Sequence, residues 1–165
     1  MRRKLASFRV ITINDDQIER QRHMEYAVRF LVHSFVPYDG KLDVEEYIDE
    51  GIVKLAGKSD GTAANECIGK TFHLLNEAAG SNALRRYENG RYVGKVGLVG
   101  LEGIAVGVAK NLKAISRQSS PKQFLQKRIK DFWAQTEVES FTSLGLRGTT
   151  RLQRTIPFGE NWFRP

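Results

Sequence analysis

The sequence predicts a single all-α domain, a bundle of about five main helices followed by short C-terminal helices. Apolar residues recur at spacings of three and four along successive segments, which is typical of amphipathic helices. Strand-like and helix-like segments do not alternate. The 165 residues are 41% hydrophobic and 27% charged, a composition that can bury a core. We expect a basic N-terminal segment over residues 1–13 and one helical domain over residues 14–165.

Capping residues mark the first three predicted helices. The first helix follows Asn14, whose side chain can accept hydrogen bonds from the free N–H groups at a helix start. The second helix lies between Asp43, another capping residue, and Gly57, a residue type common at helix ends. The third helix lies between Thr62 and Gly80 for the same reasons. Each segment carries an apolar stripe and is therefore predicted to bury one face.

The middle of the chain combines turn signals with a glycine-rich helix. A short helix is predicted around residues 83–87, and Asn89-Gly90 indicates a turn followed by a brief extended piece. A fourth helix is predicted over residues 98–115, and its regular part is expected to start near Leu101 because glycine disfavours helix. Glycines inside this helix are expected to let another helix approach closely.

A fifth helix and shorter elements complete the predicted fold. Ser120 precedes Pro121, and proline is favoured in the first turn of a helix. One or two short helices are expected beyond this fifth helix, with Pro157 closing them. The aromatic tail over residues 158–165 is expected to pack back on the body of the domain.

Positive charge is concentrated in the last third of the chain. The formal net charge is +7. Residues 1–109 contain 15 basic and 15 acidic side chains, whereas residues 110–165 contain 11 basic and 4 acidic ones. Such an excess is typical of two situations, a surface that binds a polyanion such as DNA and a merely solvated helix face.

An arginine-rich segment over residues 147–154 is the strongest nucleic-acid candidate. Arg151 and Arg154 are three residues apart on a predicted helix, so their side chains would project together. The alternative is that these arginines pair with acidic side chains or bind carbonyl oxygens. Together with the fifth helix, this segment gives the predicted DNA-contacting residues: Arg147, Arg151, Arg154, Lys122, Lys127 and Lys130.

Residues 64–71 fit a relaxed form of the phosphate-binding P-loop pattern, with alanine in place of the first glycine. In a true P-loop, Lys70 and Thr71 would contact the nucleotide phosphates and Mg²⁺. A buried strand should precede the loop, but the preceding residues are polar, and the apolar stripe of the third helix continues through the motif. A nucleotide-binding protein is therefore the less favoured alternative.

The sequence predicts no other chemistry. His23, His33 and His73 lack metal-ligand spacing, and His33 and His73 border apolar faces, as structural histidines with satisfied hydrogen bonds would. We therefore expect no catalytic residue, no metal and no cofactor. The single Cys67 excludes an internal disulfide framework and favours the cytoplasm. Charged residues and glycines interrupt the apolar run over residues 93–109, so no membrane span is expected.

Several segments resemble, in order, the helical part of the GmrSD-type restriction endonuclease family. They are QRHMEYAVRFL over residues 21–31, a Tyr-Asp-Gly turn, LDVEEYIDEGI, FHLLN over 72–76, LEGIAVGVAKNL over 101–112, RIKDFW over 128–133 and GLRGTTRLQRTI over 145–156. The resemblance spans roughly residues 18–158.

This resemblance implies a role in defence against modified phage DNA. Members of the family carry an N-terminal ParB-like domain with an Asp-Gly-Gln-Gln-Arg motif, and many carry an HNH-type nuclease domain. Neither motif is found here: Asp15-Asp16-Gln17 has no glycine, and no paired His/Asn motif follows His73. The resemblance therefore implies a helical C-terminal lobe without the catalytic lobe, and no catalytic residue can be carried over.

We expect a non-catalytic helical domain that supports a catalytic lobe and contacts DNA through its basic last third. The chain would then be a fragment, one product of a split gene or a decayed copy, and its partner would be a catalytic lobe or the product of a neighbouring gene. The alternative is a protein–protein interaction module that uses Trp162, Phe163 and the glycine-rich stretch over residues 94–103. The sequence leaves the oligomeric state open.

Overall fold

The structure, a computed structural model, describes residues 22–57 and 61–165. The predicted basic segment over residues 1–13 and the predicted cap at Asn14 lie outside the described residues. The first three helices are α1 (Arg22–Phe35), α2 (Val44–Ala56) and α3 (Thr62–Ala79). The predicted cap of α2 is confirmed, since the Asp43 side chain accepts a hydrogen bond of 3.0 Å from the backbone N–H of Glu46.

A short hairpin follows α3 and a single 3₁₀ turn. Its strands are β1 (Arg86–Glu88) and β2 (Arg91–Val93), which pair antiparallel with Tyr87 opposite Tyr92. The predicted short helix at 83–87 is therefore wrong, because the 3₁₀ turn ends at Asn82 and the first strand begins at Arg86. Asn89 and Gly90 both have positive φ angles, 50° and 80°. This conformation is that of a two-residue hairpin turn, which pairs the flanking residues as strands.

The predicted fourth helix is divided into three parts. A π-helical segment (Gly100–Ala105) leads into α4 (Val106–Lys110) and α5 (Leu112–Ser116). The break is at Asn111, whose Nδ2 donates hydrogen bonds to the carbonyl oxygens of Gly107, at 3.0 Å, and Glu160, at 2.7 Å. The side chain thus ties the break to the C-terminal part of the chain.

The remaining helices are α6 (Pro121–Phe132), α7 (Thr136–Phe141) and α8 (Gly148–Trp162). The prediction that Pro157 ends the helices is wrong, because α8 continues through it for five further residues. Phe158 and Phe163 pack against Phe132, with ring centroids 5.9 and 6.0 Å apart, and this packing offsets the cost of a proline inside a helix. The predicted packing of the tail on the body is confirmed.

The core lies where α8 crosses the π-helical segment and α4. A Cβ atom placed on Gly107 would lie 2.6 Å from the carbonyl oxygen of Gly159, so only glycine permits this distance between the backbones. The expected close approach of another helix is therefore confirmed. Phe132 of α6 closes this core from one side, and the chain is mainly helical, as predicted.

Candidate functional site

A fully buried carboxylate lies at the centre of the molecule. Glu102, on the π-helical segment, has 0% exposure, and its two oxygens accept hydrogen bonds from Arg151 of α8. Arg151 Nε lies 2.9 Å from Oε2, and Nη2 lies 3.0 Å from Oε1. Burial raises the pKa of Glu102, and the guanidinium partly offsets this effect. The bidentate geometry is that of an ionised carboxylate with an arginine, which locks the orientation of both groups.

Two further titratable groups, Arg29 and His33, interact electrostatically with this pair. Arg29 is buried and donates hydrogen bonds to Glu25, at 3.0 Å, and to Glu45, at 2.6 Å. His33 is 2% exposed, and neither of its ring nitrogens has a hydrogen-bond partner in the described part of the chain. Burial, together with the charges of Arg29 and Arg151, lowers the pKa of His33 to about 3, so this ring is neutral at physiological pH.

The histidine prediction therefore needs two corrections. His33 is buried as expected, but it stacks on Tyr47, with 5.6 Å between ring centroids, instead of satisfying its nitrogens. His73 does not lie on the apolar stripe of α3: its side chain is exposed, and its Nε2 lies 3.6 Å from a carboxylate oxygen of Glu77.

Arg151 also lines a cavity of about 420 Å³, which we call the hairpin cavity. Two other cations, Arg86 and Lys95, line it, and no carboxylate does. Its lining also includes apolar side chains and Trp133, whose buried Nε1 has no hydrogen-bond partner within the described ranges. The remaining lining residues are Gly97, Leu98, Val99, Phe141, Thr142, Ser143 and Leu146.

A second cavity, of about 560 Å³, lies between α3, α4 and α5, and we call it the lysine cavity. Its cations are Lys70, Lys110, Lys113 and Arg117, and no carboxylate lines it. Lys70 pairs with Glu66, and Lys110 lies 3.7 Å from Glu160. Lys113 and Arg117 make no ion pair with any described residue.

The six predicted DNA-contacting residues separate into two groups. Arg151 is paired with Glu102 and only 17% of its side chain is exposed, which is the alternative considered for these arginines. The other five are exposed and form no ion pair with the described residues: Lys122, Lys127, Lys130, Arg147 and Arg154.

The P-loop-like segment lies within α3, which runs without interruption from Thr62 to Ala79. The backbone N–H groups of a continuous helix are bound to its own carbonyl groups, so they cannot hold phosphates as a P-loop does. Trp162 and Phe163, the candidates for a protein interface, belong to the core: Phe163 is fully buried, and Trp162 Nε1 donates to the carbonyl oxygen of Arg128 at 3.0 Å.

Sequence reasoning missed both the lysine cavity and Glu102. Lys110, Lys113 and Arg117 are spaced by three and four residues, which places them on one side of a helix, and this signal was available. Glu102 is the one carboxylate of an otherwise apolar, glycine-rich run, and such isolation indicates burial with a partner. The partner, Arg151, is 49 residues away in the sequence, so only the tertiary structure identifies it.

No protein-family model, curated protein or solved structure matches this chain. Within residues 22–57 and 61–165, no helix is long and apolar enough to cross a membrane. The same residues contain no group of three or more His, Cys, Asp or Glu side chains that could hold a metal ion.

Proposed function

We propose that this chain is a non-catalytic helical domain that contacts DNA through a basic surface. The lysine cavity is the observation that supports this most directly. It gathers four cations into one concave surface, and two of them, Lys113 and Arg117, pair with no carboxylate of the described residues. A cleft lined by charges of one sign concentrates its field and attracts ligands of the opposite sign.

Further exposed cations follow the cavity along the chain, on α6. Arg117 precedes Lys122 by five residues, so their backbones are at most about 18 Å apart. Lys127 and Lys130 follow on the exposed face of the same helix. Phosphate contacts from lysine and arginine supply most of the affinity of sequence-independent DNA binding. This surface can therefore hold a DNA backbone without reading its sequence.

The wider role is proposed from the sequence resemblance. The segments similar to the GmrSD-type family suggest a lobe that supports a separate catalytic lobe in defence against phage DNA. The described residues would contribute a packed core and a basic surface to such an assembly, and the catalytic chemistry would come from the partner.

Fluorescence anisotropy with a labelled DNA duplex tests the DNA contact. We expect Lys113→Ala/Arg117→Ala to weaken binding by about tenfold or more, since each lost charged contact costs roughly 1 kcal/mol or more. The matched control is Lys41→Ala/Lys54→Ala, which removes the same charge from exposed positions on and beside α2.

Two other double variants map the surface, Lys127→Ala/Lys130→Ala and Arg147→Ala/Arg154→Ala. Arg151 is left unchanged, because its loss would unpair Glu102 and confuse unfolding with lost binding. Absence of duplex binding by the wild type, or an equal loss in the α2 control, contradicts the proposal.

A further inference from the structure

The hairpin cavity holds an arginine that is fixed on one edge and free on the other. Nε and Nη2 of Arg151 are bound to Glu102, whereas Nη1 has no hydrogen-bond partner in the described chain. Because the carboxylate is fully buried, it holds the guanidinium plane in place. An arginine fixed in this way binds an anion with little loss of side-chain entropy.

The cavity combines one unpaired cation, Lys95, with two paired arginines, a set of donors that suits an anion with several acceptor oxygens. Glu102 neutralises Arg151, but Lys95 is exposed and makes no ion pair with the described residues. Arg86 lies 2.9 Å from Glu88, and both side chains of that pair are partly exposed to solvent. A phosphate dianion engages several such donors at once, whereas a carboxylate offers one charge.

The rest of the wall fits the organic part of a ligand. Trp133, Phe141 and Leu146 also line the cavity, and the indole N–H of Trp133 is buried without a hydrogen-bond partner in the described chain. The cavity volume of about 420 Å³ is within the usual range for small-molecule sites. Mostly apolar walls with a few converging polar groups are typical of such sites.

We propose that the hairpin cavity binds an organic phosphate, with the phosphate at Arg151 and Lys95 and the apolar part against Trp133. Two sources share this chemistry, a free mononucleotide and the 5′-phosphate at the end of a nucleic acid. The proposal is independent of the DNA contact at the lysine cavity, since the two sites share no residue.

The two tryptophans of the chain allow a direct test by ¹H–¹⁵N NMR. Phenyl phosphate is titrated into the full chain while both indole N–H signals are followed. We expect a saturable shift of the Trp133 signal and no shift of the Trp162 signal, because the Trp162 indole already donates to Arg128. Trp133→Phe assigns the two signals.

Lys95→Ala tests the cationic side at an exposed position that leaves the core intact. We expect it to weaken phenyl phosphate binding by about tenfold or more. Lys113→Ala is the matched control in the lysine cavity and should leave the affinity unchanged. An unmoved Trp133 signal at millimolar phenyl phosphate overturns the proposal, and so does equal affinity of Lys95→Ala and the wild type.

Simpler ligands separate the two halves of the site. Phenol should not saturate the cavity, and inorganic phosphate should bind more weakly than phenyl phosphate. If phenol or inorganic phosphate binds as tightly as phenyl phosphate, the assignment to an organic phosphate is overturned. Adenosine monophosphate and a short oligonucleotide with and without a 5′-phosphate then distinguish the sources. Tighter binding of the mononucleotide points to a free metabolite, and a dependence on the 5′-phosphate points to a nucleic-acid end.

Discussion

The hairpin cavity and the lysine cavity both present cations without a lining carboxylate, but they hold those cations differently. In the hairpin cavity, the buried Glu102 fixes Arg151 by two hydrogen bonds. In the lysine cavity, Lys113 and Arg117 are exposed and unpaired within the described residues. A fixed cation suits a ligand of defined shape, whereas exposed, unpaired cations suit a polymer with repeated charges. The same excess of positive charge can therefore support two different kinds of binding.

The largest expected effect comes from breaking the fixed pair. Arg151→Ala leaves the Glu102 carboxylate buried without a partner, and such changes cost about 3–5 kcal/mol. Urea unfolding followed by circular dichroism measures the free energy of unfolding. Arg154→Ala, three residues along α8 but exposed, should change it by less than about 0.5 kcal/mol. Similar losses in the two variants would contradict the structural role of the buried pair.

The distance between α8 and the π-helical segment sets the geometry of that pair. A Cβ atom on Gly159 would overlap the backbone of Gly103, next to Glu102. We expect Gly159→Ala to lower the free energy of unfolding by about 1–3 kcal/mol, as overpacking does.

Gly69→Ala is the control for the glycine change, since nothing lies within 4 Å of a Cβ at that position in α3. It should stabilise the protein by roughly 0.5–1 kcal/mol, because alanine favours helix more than glycine. Thermal unfolding compares the two variants, and a stabilised Gly159→Ala would refute the close contact.

His33 makes the stability of the region around Arg151 depend on pH. The folded-state pKa of about 3 lies below the ordinary histidine value of 6.5, so the unfolded chain binds more protons between these two values. The contribution of neutral His33 to the free energy of unfolding is therefore fully present above pH 6.5. It is lost as the pH drops towards 3, by up to about 1.4 kcal/mol per pH unit.

His33→Phe removes this titration while keeping an aromatic ring against Tyr47. Unfolding free energies of the wild type and the variant, measured between pH 7 and pH 4, should diverge as the pH falls, with the wild type losing more. Parallel curves would show that His33 is not held neutral by the fold.

The sequence predicted the parts of the fold that depend on local signals. The cap at Asp43 and the start of α6 at Pro121 follow from residue type and spacing alone, and both are confirmed. The passage of α8 through Pro157 was not predictable locally, because the aromatic packing that stabilises it involves Phe132, 26 residues away. The pairing of Glu102 with Arg151 was hidden for the same reason, although an isolated carboxylate in an apolar run indicated that some partner exists.

The central claim, that the cations of the lysine cavity bind DNA, is tested most directly by the salt dependence of duplex binding. Each phosphate contact adds about 0.9 to the slope of log affinity against log salt concentration. Lys113→Ala/Arg117→Ala should therefore lower that slope by about 1.8, while Lys41→Ala/Lys54→Ala leaves it unchanged. Identical slopes for the wild type and both double variants would contradict the account.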